Sequence, residues 1–343
     1  MRLFVAEYFT SGQCPGIEPE NSLFREGWGM LRAFLEDAVH AADSDRFPLE
    51  CQTLLGGEPL APLPPGIDLF RATSPQQAQQ LLLELASAAD LTLIIAPETE
   101  GILQQQYDAV QSVRGDWMGC DRAAIELCGD KLRLAERWNS IGIPTPATDS
   151  LAPFVAALSL PDFPVVIKPR DGAGGDQTGL CTSCEEWERL LNYTTPEERD
   201  LYLVQPYVEG KACSVSVLSL SDRDEIFPPG EQRIDWEGGF RYLGGTVPCG
   251  MPAAARDQLH DCIHQTRAAI PGLAGYWGLD FVWNPDDQQQ PITLIEINPR
   301  LTTSYLGYRQ LTSINLADLW LRDICRAIDE HQLLSWSDEP VTF

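Results

Sequence analysis

A hairpin pattern near the end of the sequence restricts the possible folds most sharply. Residues 276–283 and 292–298 are two apolar stretches around a polar turn, which is typical of paired antiparallel strands. Glu296 and Asn298 stand two positions apart and therefore share one face of their strand. If the strands pair around the centre of that turn, Asp280 lies opposite Glu296. The sequence thus predicts an antiparallel sheet that brings three oxygen-bearing side chains together.

These three side chains suggest a divalent cation site. Carboxylate and amide oxygens are ligands that Mg²⁺ or Mn²⁺ accepts while it holds phosphate oxygens. Two carboxylates directly opposite each other would repel without a cation, which favours a metal over the alternative of a solvated sheet face. Arg300 follows Asn298 by two positions and should project the same way, toward the anion that the metal would hold.

A second constellation joins a lysine to a glycine-rich loop. Lys168 ends an apolar strand, and Gly172, Gly174 and Gly175 follow within the loop at about 169–179. Backbone N–H groups of such a loop can fold over phosphate oxygens while the ammonium neutralises them. No Gly-Lys-Ser/Thr leads into a helix, so the loop is not a Walker A loop. A hairpin loop without a ligand is the alternative.

The first third of the sequence has a different pattern. Apolar strand patterns at 2–8 and 91–96 alternate with helical patterns such as 76–89. Alternating β and α elements predict a small doubly wound parallel sheet, with ligand-facing loops beyond the strand C-termini. We therefore predict an α/β protein with a first domain at 1–115 and a second domain at 116–343.

The charge of the chain bears on its partners and location. It carries 24 basic and 50 acidic residues, a net charge of −26, and this surface would repel nucleic acid and anionic lipid. No apolar run approaches the ~18 residues of a membrane span. The first residues become charged too early for a signal peptide, so we expect a cytoplasmic protein with reduced thiols.

Other candidate sites are weaker. Cys181 and Cys184 form one pair without a second, which favours a structural role over zinc. His260 and His264 lie one helical turn apart, as expected for an exposed helix face. Neither G-x-S-x-G nor H-E-x-x-H occurs, so triad hydrolases and zinc proteases are excluded.

The order of the motifs resembles the ATP-grasp superfamily. The resemblance rests on Gly129-Asp130-Lys131, Val166-Ile167-Lys168-Pro169 with the glycine loop, Gln205-Pro206-Tyr207-Val208-Glu209-Gly210, Asp280, and Glu296-Ile297-Asn298-Pro299-Arg300. It covers about 117–327, and 1–115 looks like the preceding α/β domain of those enzymes. It implies two α+β subdomains that clasp ATP.

The resemblance also implies roles for individual residues. Lys131 and Lys168 match the nucleotide-binding lysines, and the three loop glycines match the cover over the phosphates. Asp280, Glu296 and Asn298 match the magnesium ligands, and Arg300 matches the arginine that steadies the acyl phosphate and the tetrahedral intermediate.

The adenosine contacts follow in the same way. Gln205 stands where a side chain meets the adenine amino group, and Tyr207 and Val208 match backbone contacts. Many members carry a ribose-binding acid where this chain has Ala212, so Glu209 or another group must replace it, or the contact is lost.

The expected activity is an ATP- and magnesium-dependent carboxylate–amine ligation through an acyl phosphate, on small-molecule substrates. A closer likeness rests on four segments: Glu26-Gly27 with Met30-Leu31, Ala96-Pro97-Glu98 with Gly101-Ile102-Leu103, Cys128-Gly129-Asp130-Lys131, and Asn298-Pro299-Arg300-Leu301-Thr302-Thr303. Together they resemble the tyramine–glutamate ligase branch of methanofuran biosynthesis, which implies glutamate with tyramine or tyrosine in a methanofuran-like cofactor pathway. The substrate pocket should lie between Glu98, Glu100 and the face that carries Arg300. A small-molecule kinase on the same fold and a non-catalytic ATP-binding sensor or scaffold are the alternatives. The number of subunits stays open, with a homodimer as one option.

Overall fold

A parallel sheet organises the first part of the chain. The computed structural model describes residues 1–42, 48–156, 160–172, 175, 177–195, 198–236, 240–326 and 334–343. The strands of the first sheet are β1 (Arg2–Glu7), β2 (Glu50–Leu55), β3 (Ile67–Arg71) and β4 (Leu91–Ile95). They are parallel throughout, in the order β3-β2-β1-β4.

Helices cover both faces of this sheet because its central strand is apolar on both sides. They are α1 (Ser22–Ala42), α2 (Pro75–Ala88) and α3 (Ile102–Ser112). Phe4 and Ala6 lie in the core that includes side chains of α2 and α3. Leu3 and Val5 lie in the core that includes α1. The predicted doubly wound arrangement is confirmed.

A small antiparallel sheet follows. Its region consists of α4 (Arg122–Gly129), α5 (Lys131–Ser140), β5 (Asp149–Ser150), α6 (Leu151–Ala156), β6 (Val165–Pro169), β7 (Gly179–Cys181), α7 (Cys184–Tyr193) and β8 (Tyr202–Pro206). The strand order is β5-β8-β6-β7. Its own core is small, with Trp187 packed edge-on against Phe154 and Phe163. This sheet carries Lys168 at the end of β6.

A larger antiparallel sheet forms the rest. Its elements are β9 (Lys211–Ser219), β10 (Asp224–Ile226), β11 (Gly230–Asp235), β12 (Arg241–Val247), α8 (Ala253–Ala269), β13 (Gly275–Trp283), β14 (Ile292–Asn298), α9 (Tyr305–Leu311), α10 (Leu316–Ile324) and β15 (Val341–Thr342). The order is β14-β13-β9-β11-β12-β15, with β10 on β9. The predicted hairpin is β13–β14. Asp280 pairs with Glu296 as expected, and a bulge then shifts the register so that Phe281 faces Leu294.

The first helix is tied to the second half of the chain through Asp37. Its carboxylate accepts a hydrogen bond from the Tyr305 hydroxyl at 2.6 Å and from Arg309 Nη2 at 2.6 Å, and its backbone carbonyl accepts one from Asn315 Nδ2 at 2.7 Å. Since Asp37 is buried, these charged and neutral bonds hold α1 firmly against α9 and α10.

The α/β class is confirmed, whereas the division at residues 115 and 116 stays a prediction. Trp117 still forms a parallel bridge to Thr92 of β4. The strands β11 and β12 had no counterpart in the sequence analysis. Among the described residues, we find no helix both long enough and apolar enough to cross a membrane.

Candidate active site

One cavity lies between the small and the large antiparallel sheets. It encloses ≈ 240 Å³. The small sheet contributes Lys168 and Gln205 to its wall, the large sheet contributes Asp280 and Glu296, and α1 of the first region contributes Glu26. Three parts of the chain therefore meet at one site.

The predicted metal ligands converge on this wall. Asp280 Oδ2 accepts a hydrogen bond from Asn298 Nδ2 at 3.1 Å, and Oδ1 accepts one from Gln232 Nε2 at 2.9 Å. Glu296 is the strand partner of Asp280. The set consists of two acids and one amide, and the described chain holds no group of three or more His, Cys, Asp or Glu side chains suited to a metal.

The electrostatics of the two acids suit a divalent cation. Burial, together with the nearby Glu296, raises the pKa of Asp280 to about 7. Burial alone would raise the pKa of Glu296 as well, but the ammonium groups of Lys131 and Lys168 hold it below its usual range. A bound Mg²⁺ would offset both the burial and the mutual repulsion of the carboxylates. Oxygen donors placed in this way fit the ion.

The two predicted lysines reach the same place from different elements. Lys131 begins α5, where Asp130 caps the helix. Its Nζ donates a hydrogen bond to the Gly172 carbonyl and lies 3.5 Å from Glu296 Oε2. Lys168 is 6% exposed, and burial, with the charge of Lys131, lowers its pKa to about 8. Paired ammonium groups in a closed site would favour a polyanion.

The glycine loop is described only in part. Gly172 and Gly175 are within the described residues, whereas Gly174 lies outside them. Gly175 has φ +75°, and a Cβ built there would lie 1.9 Å from Cδ1 of Phe240. The Phe240 N–H also donates to the Thr178 carbonyl at 3.2 Å. The loop is therefore packed against the connection between β11 and β12, and glycine is required at 175 both for space and for backbone conformation.

The predicted adenine-binding residues Gln205, Tyr207 and Val208 also line the cavity. Gln205 is buried and donates from Nε2 to Thr148 Oγ1 at 2.7 Å, which leaves its amide oxygen to accept a bond. The Tyr207 N–H donates a hydrogen bond to the Pro164 carbonyl at 2.9 Å. The carbonyl of Tyr207 is therefore the backbone group of this residue that could accept a hydrogen bond from a ligand. An amino group of a base is the kind of donor that these oxygens can accept.

The predicted ribose contact has less structural support. Val208 and Ala212 line the cavity, whereas Glu209 is exposed and does not. The role of Glu209 stays a prediction.

Arg300 is held by an acid of the first region. Its Nε lies 3.0 Å from Glu98 Oε1 and its Nη2 donates to Glu98 Oε2 at 3.1 Å, which is a two-point ion pair. The side chains are 14% and 6% exposed. The guanidinium also reaches Asn298 Oδ1 at 3.5 Å. Arg300 thus lies beside the acids as expected, but Glu98 is occupied by it and Glu100 is exposed.

Several residues of the site were missed from the sequence. Gln232 and Tyr242 come from β11 and β12, which lack a clear strand pattern. Asp130 accepts two hydrogen bonds from Arg170, at 2.8 and 2.6 Å, and so anchors the start of α5 to the end of β6. Asp130 was named from the sequence only as part of the Gly129-Asp130-Lys131 motif, and its bonds to Arg170 were not foreseen.

The cysteine and histidine pairs stay outside the site. Cys181 is buried and Cys184 is exposed, so the two thiols face different surroundings. His264 is exposed on α8, with His260 half-buried beside it. None of the four lines the cavity.

Comparisons with known proteins agree with this geometry. The ATP-grasp domain family matches residues 128–304, and the pre ATP-grasp 3 domain family matches residues 57–125. Tyramine–L-glutamate ligase of Methanocaldococcus fervens is 29% identical over 236 residues, 68% of this chain and 66% of that protein. Carbamoyl-phosphate synthase of Methanobrevibacter smithii is 28% identical over 208 residues, 57% of this chain and 53% of that protein. The chain therefore spans less than two thirds of the length of these curated relatives.

A solved structure extends the likeness to the whole fold. N5-carboxyaminoimidazole synthetase from Staphylococcus aureus, in complex with ADP, superposes with a TM-score of 0.69 at 16% identity. The match covers 99% of this chain and 80% of that one. The first family match spans half of the chain and contains both lysines, the described loop glycines and all three predicted metal ligands. The chain belongs to the ATP-grasp domain family.

Proposed function

We propose that this protein is an ATP- and magnesium-dependent carboxylate–amine ligase. One observation carries the proposal: Lys168, two facing acids with an amide, and a buried arginine line one cavity, and the buried Lys131 lies 3.5 Å from Glu296 of that wall. A site of this kind can hold a polyphosphate and stabilise the charge that develops when a phosphoryl group is transferred. The described residues offer no serine–histidine or cysteine–histidine pair in it.

ATP would lie across the cavity. Gln205 and the carbonyl of Tyr207 would accept hydrogen bonds from the adenine amino group, while Lys131, Lys168 and the glycine loop would hold the phosphates. Asp280, Glu296 and Asn298 would hold Mg²⁺, which supplies Lewis-acid neutralisation of phosphate oxygens.

The chemistry has two steps. A carboxylate oxygen of the first substrate attacks the γ-phosphorus, the bond to the β-phosphate oxygen breaks, and ADP leaves. The nitrogen of a neutral amine then attacks the carbonyl carbon of the acyl phosphate, inorganic phosphate leaves, and the nitrogen loses one proton. Arg300, held beside the acids by Glu98, would donate a hydrogen bond to the oxygen on which charge collects in the second step.

The substrates are proposed from the relatives. The name of tyramine–L-glutamate ligase supports glutamate as the first acid and tyramine as the first amine to test, and tyrosine is a second amine to test. The ligase name also favours amide formation over phosphorylation of a hydroxyl group, which was the kinase alternative.

The direct test measures ADP release with ATP, Mg²⁺ and pooled acids and amines, together with mass detection of the amide. Hydroxylamine should trap the acyl phosphate as a hydroxamate when the amine is omitted. A stable phosphoester formed from a hydroxyl acceptor would identify a kinase instead. ATP binding without any release of ADP, whatever substrates are supplied, would favour the sensor or scaffold alternative.

The nucleotide assignment has its own test. ATP with Mg²⁺ should raise the melting temperature because a ligand bound only to the folded state stabilises it. Lys168→Ala should remove most of that shift, and His264→Ala, on the exposed face of α8, should leave it intact. Equal shifts in the wild type and in Lys168→Ala would refute the phosphate role of Lys168.

A further inference from the structure

One carboxylate in the cavity wall has no bonding partner among the described residues. Three carboxylates line the cavity, namely those of Glu26, Asp280 and Glu296. Asp280 accepts hydrogen bonds from two amides, and Glu296 faces Lys131. The carboxylate of Glu26, by contrast, forms no hydrogen bond and no ion pair within the described part of the chain.

The cavity that Glu26 lines is polar, but no cation of the described residues forms an ion pair with its carboxylate. The same cavity is lined by four residues with hydroxyl groups, of which Tyr242 interacts electrostatically with Glu26: Ser216, Tyr242, Thr302, Thr303. These hydroxyls already bond to one another or to nearby hydroxyls, as in the 3.2 Å contact between Tyr242 Oη and Thr303 Oγ1. Arg300 acts on Glu26 across space, yet its guanidinium is occupied by Glu98.

The position of Glu26 is fixed from behind. A Cβ added at Gly27 would lie 2.4 Å from the carboxyl carbon of Glu7, so the helix backbone rests directly on that side chain. Glu7 is in turn held by the N–H groups of Phe9 at 3.1 Å and Thr10 at 2.8 Å. The Asp37 contacts with α9 fix the same helix farther along. Glu26 is therefore presented to the cavity by a rigid support.

A half-buried carboxylate without a counter-ion raises the free energy of the folded protein unless a bound ligand pairs with its charge. Because the carboxylate is half-buried, its charged form is less well solvated, and burial raises the pKa of Glu26 although Arg300 opposes the shift. A substrate cation at this point would restore a charge-assisted hydrogen bond, and the hydroxyl groups could accept its remaining protons. A primary ammonium group, with three donors and one positive charge, matches these acceptors.

We propose that Glu26 is the specificity-determining counter-ion for an ammonium group of a substrate. The inference rests on the proposed ligase function, because it places that group in the cavity that holds the reacting carboxylate. The ammonium could belong to an amino-acid acyl donor or to the amine acceptor before it loses its proton. Both sources present the same chemistry to Glu26, and the experiment separates them.

The test compares Glu26→Gln with the wild type, with Glu20→Gln as the control. Glu20 is an exposed acid just before α1, so its substitution removes the same charge outside the cavity. KM is measured for L-glutamate, for glutarate, which lacks the ammonium group, and for tyramine. Loss of a charge-assisted hydrogen bond predicts an increase in KM of about 10- to 100-fold for the substrate whose ammonium Glu26 holds.

The two sources give different results. If the donor supplies the ammonium, the wild type prefers glutamate to glutarate, and Glu26→Gln abolishes that preference while KM for tyramine stays unchanged. If the amine acceptor supplies the ammonium group, KM for tyramine rises in Glu26→Gln, and the ratio of the KM values for glutamate and glutarate stays unchanged. Values of KM within twofold of the wild type for all three compounds overturn the proposal.

Failure of the ligase function is a separate outcome. A wild-type protein that releases no ADP with any acid and amine overturns the proposed function. Glu26 is then tested by calorimetry, with L-glutamate and tyramine titrated into the protein saturated with Mg²⁺ and a non-hydrolysable ATP analogue. Binding of either compound that Glu26→Gln weakens at least tenfold supports the ammonium site. Equal binding by both proteins, or no binding to the wild type, overturns it.

Discussion

The two walls of the cavity are built very differently. The wall that carries Lys168 belongs to a four-stranded sheet whose own core contains only a few fully buried side chains, Trp187 among them. The wall that carries Asp280 and Glu296 belongs to the large sheet, whose side chains pack into cores shared with the first α/β region. Arg300 on this wall is held by Glu98 of that region.

This difference separates two tasks. The small sheet holds phosphate-binding groups on a support with few buried contacts, and regions of that kind open at lower free energy than a large core. The large sheet holds the acids and the arginine in fixed positions, as stabilisation of developing charge demands. We therefore expect substitutions on the two walls to differ in kind as well as in size.

The largest effect on stability is expected from substitutions in the hydrophobic cores of the two sheets that form the cavity walls. Trp277 is fully buried in the large sheet, and Trp187 is buried in the small one. Replacing either by alanine should cost about 3–5 kcal/mol locally. Trp277→Ala should lower the main calorimetric unfolding transition of the chain. Trp187→Ala should leave that transition unchanged and add a second unfolding transition at lower temperature. It should also abolish the rise in melting temperature that ATP produces. Identical thermograms for the two variants would remove the distinction between the walls.

The next effect concerns catalysis on the large wall. Arg300→Ala should reduce the rate of amide formation by about 10²–10³, the usual result of losing one donor to a developing negative charge. The melting shift with ATP should persist, because the lysines are unchanged. Arg256→Ala, at an exposed site on α8, is the matched control. If Arg300→Ala lost ATP binding and turnover in equal measure, the two walls would share one task.

A smaller effect is expected from the acid behind Arg300. Glu98→Gln keeps the shape but weakens the ion pair, and should lower kcat about 10- to 100-fold with KM for ATP unchanged. Glu100→Gln, two residues away and exposed, should behave as the wild type. Steady-state kinetics of both variants test whether the first region positions the arginine. An unchanged kcat in Glu98→Gln would argue that the pair is only structural.

The smallest effect is a dependence of the free energy of unfolding on pH, caused by the buried Glu7 of β1. Burial raises the pKa of Glu7 from 4.5 to about 7, although N–H groups of Phe9 and Thr10 oppose the shift. The folded state then binds the proton more tightly than the unfolded state. Its contribution to the free energy of unfolding is present below pH 4.5 and is lost as pH rises to about 7. The loss is on the order of 1–3 kcal/mol.

Glu7→Gln isolates this contribution. The difference in unfolding free energy between the wild type and Glu7→Gln should change across that pH range and level off above it. Denaturation at several pH values measures the difference directly. A difference that stayed constant from pH 4.5 to 8 would show that Glu7 does not titrate there.

Local patterns predicted the parts of the fold and of the site that are close in sequence. The pairing of Asp280 with Glu296 followed from the alternation of side chains along two strands around one turn. The bulge after Asp280 could not be predicted, because the alternation of apolar and polar residues does not show where a strand carries one extra residue. Lys131 could be assigned only through the family resemblance, since nothing in α5 itself points to Glu296.

Contacts between distant segments could not be derived in this way. The resemblance places Glu98 and Arg300 on two sides of one pocket, but nothing local signals their direct ion pair across 202 positions. The strand Gly230–Asp235 alternates poorly because its side chains are mostly polar and only partly buried, so Gln232 went unnoticed. Such pairs depend on how the sheets pack, which local propensity does not encode.

The pair of Glu98 and Arg300 also has an evolutionary consequence. An exchange of the first region between relatives, by recombination or in the laboratory, transfers the acid but not the arginine. A chimera should work only when the incoming region supplies a carboxylate at this point, since an unpaired buried guanidinium is strongly destabilising. Exchanges that satisfy this condition could bring new substrate contacts with them and leave the ATP-binding residues untouched. The two parts of the chain could then acquire their substrate contacts and their nucleotide contacts separately, provided that the Glu98–Arg300 pair is kept.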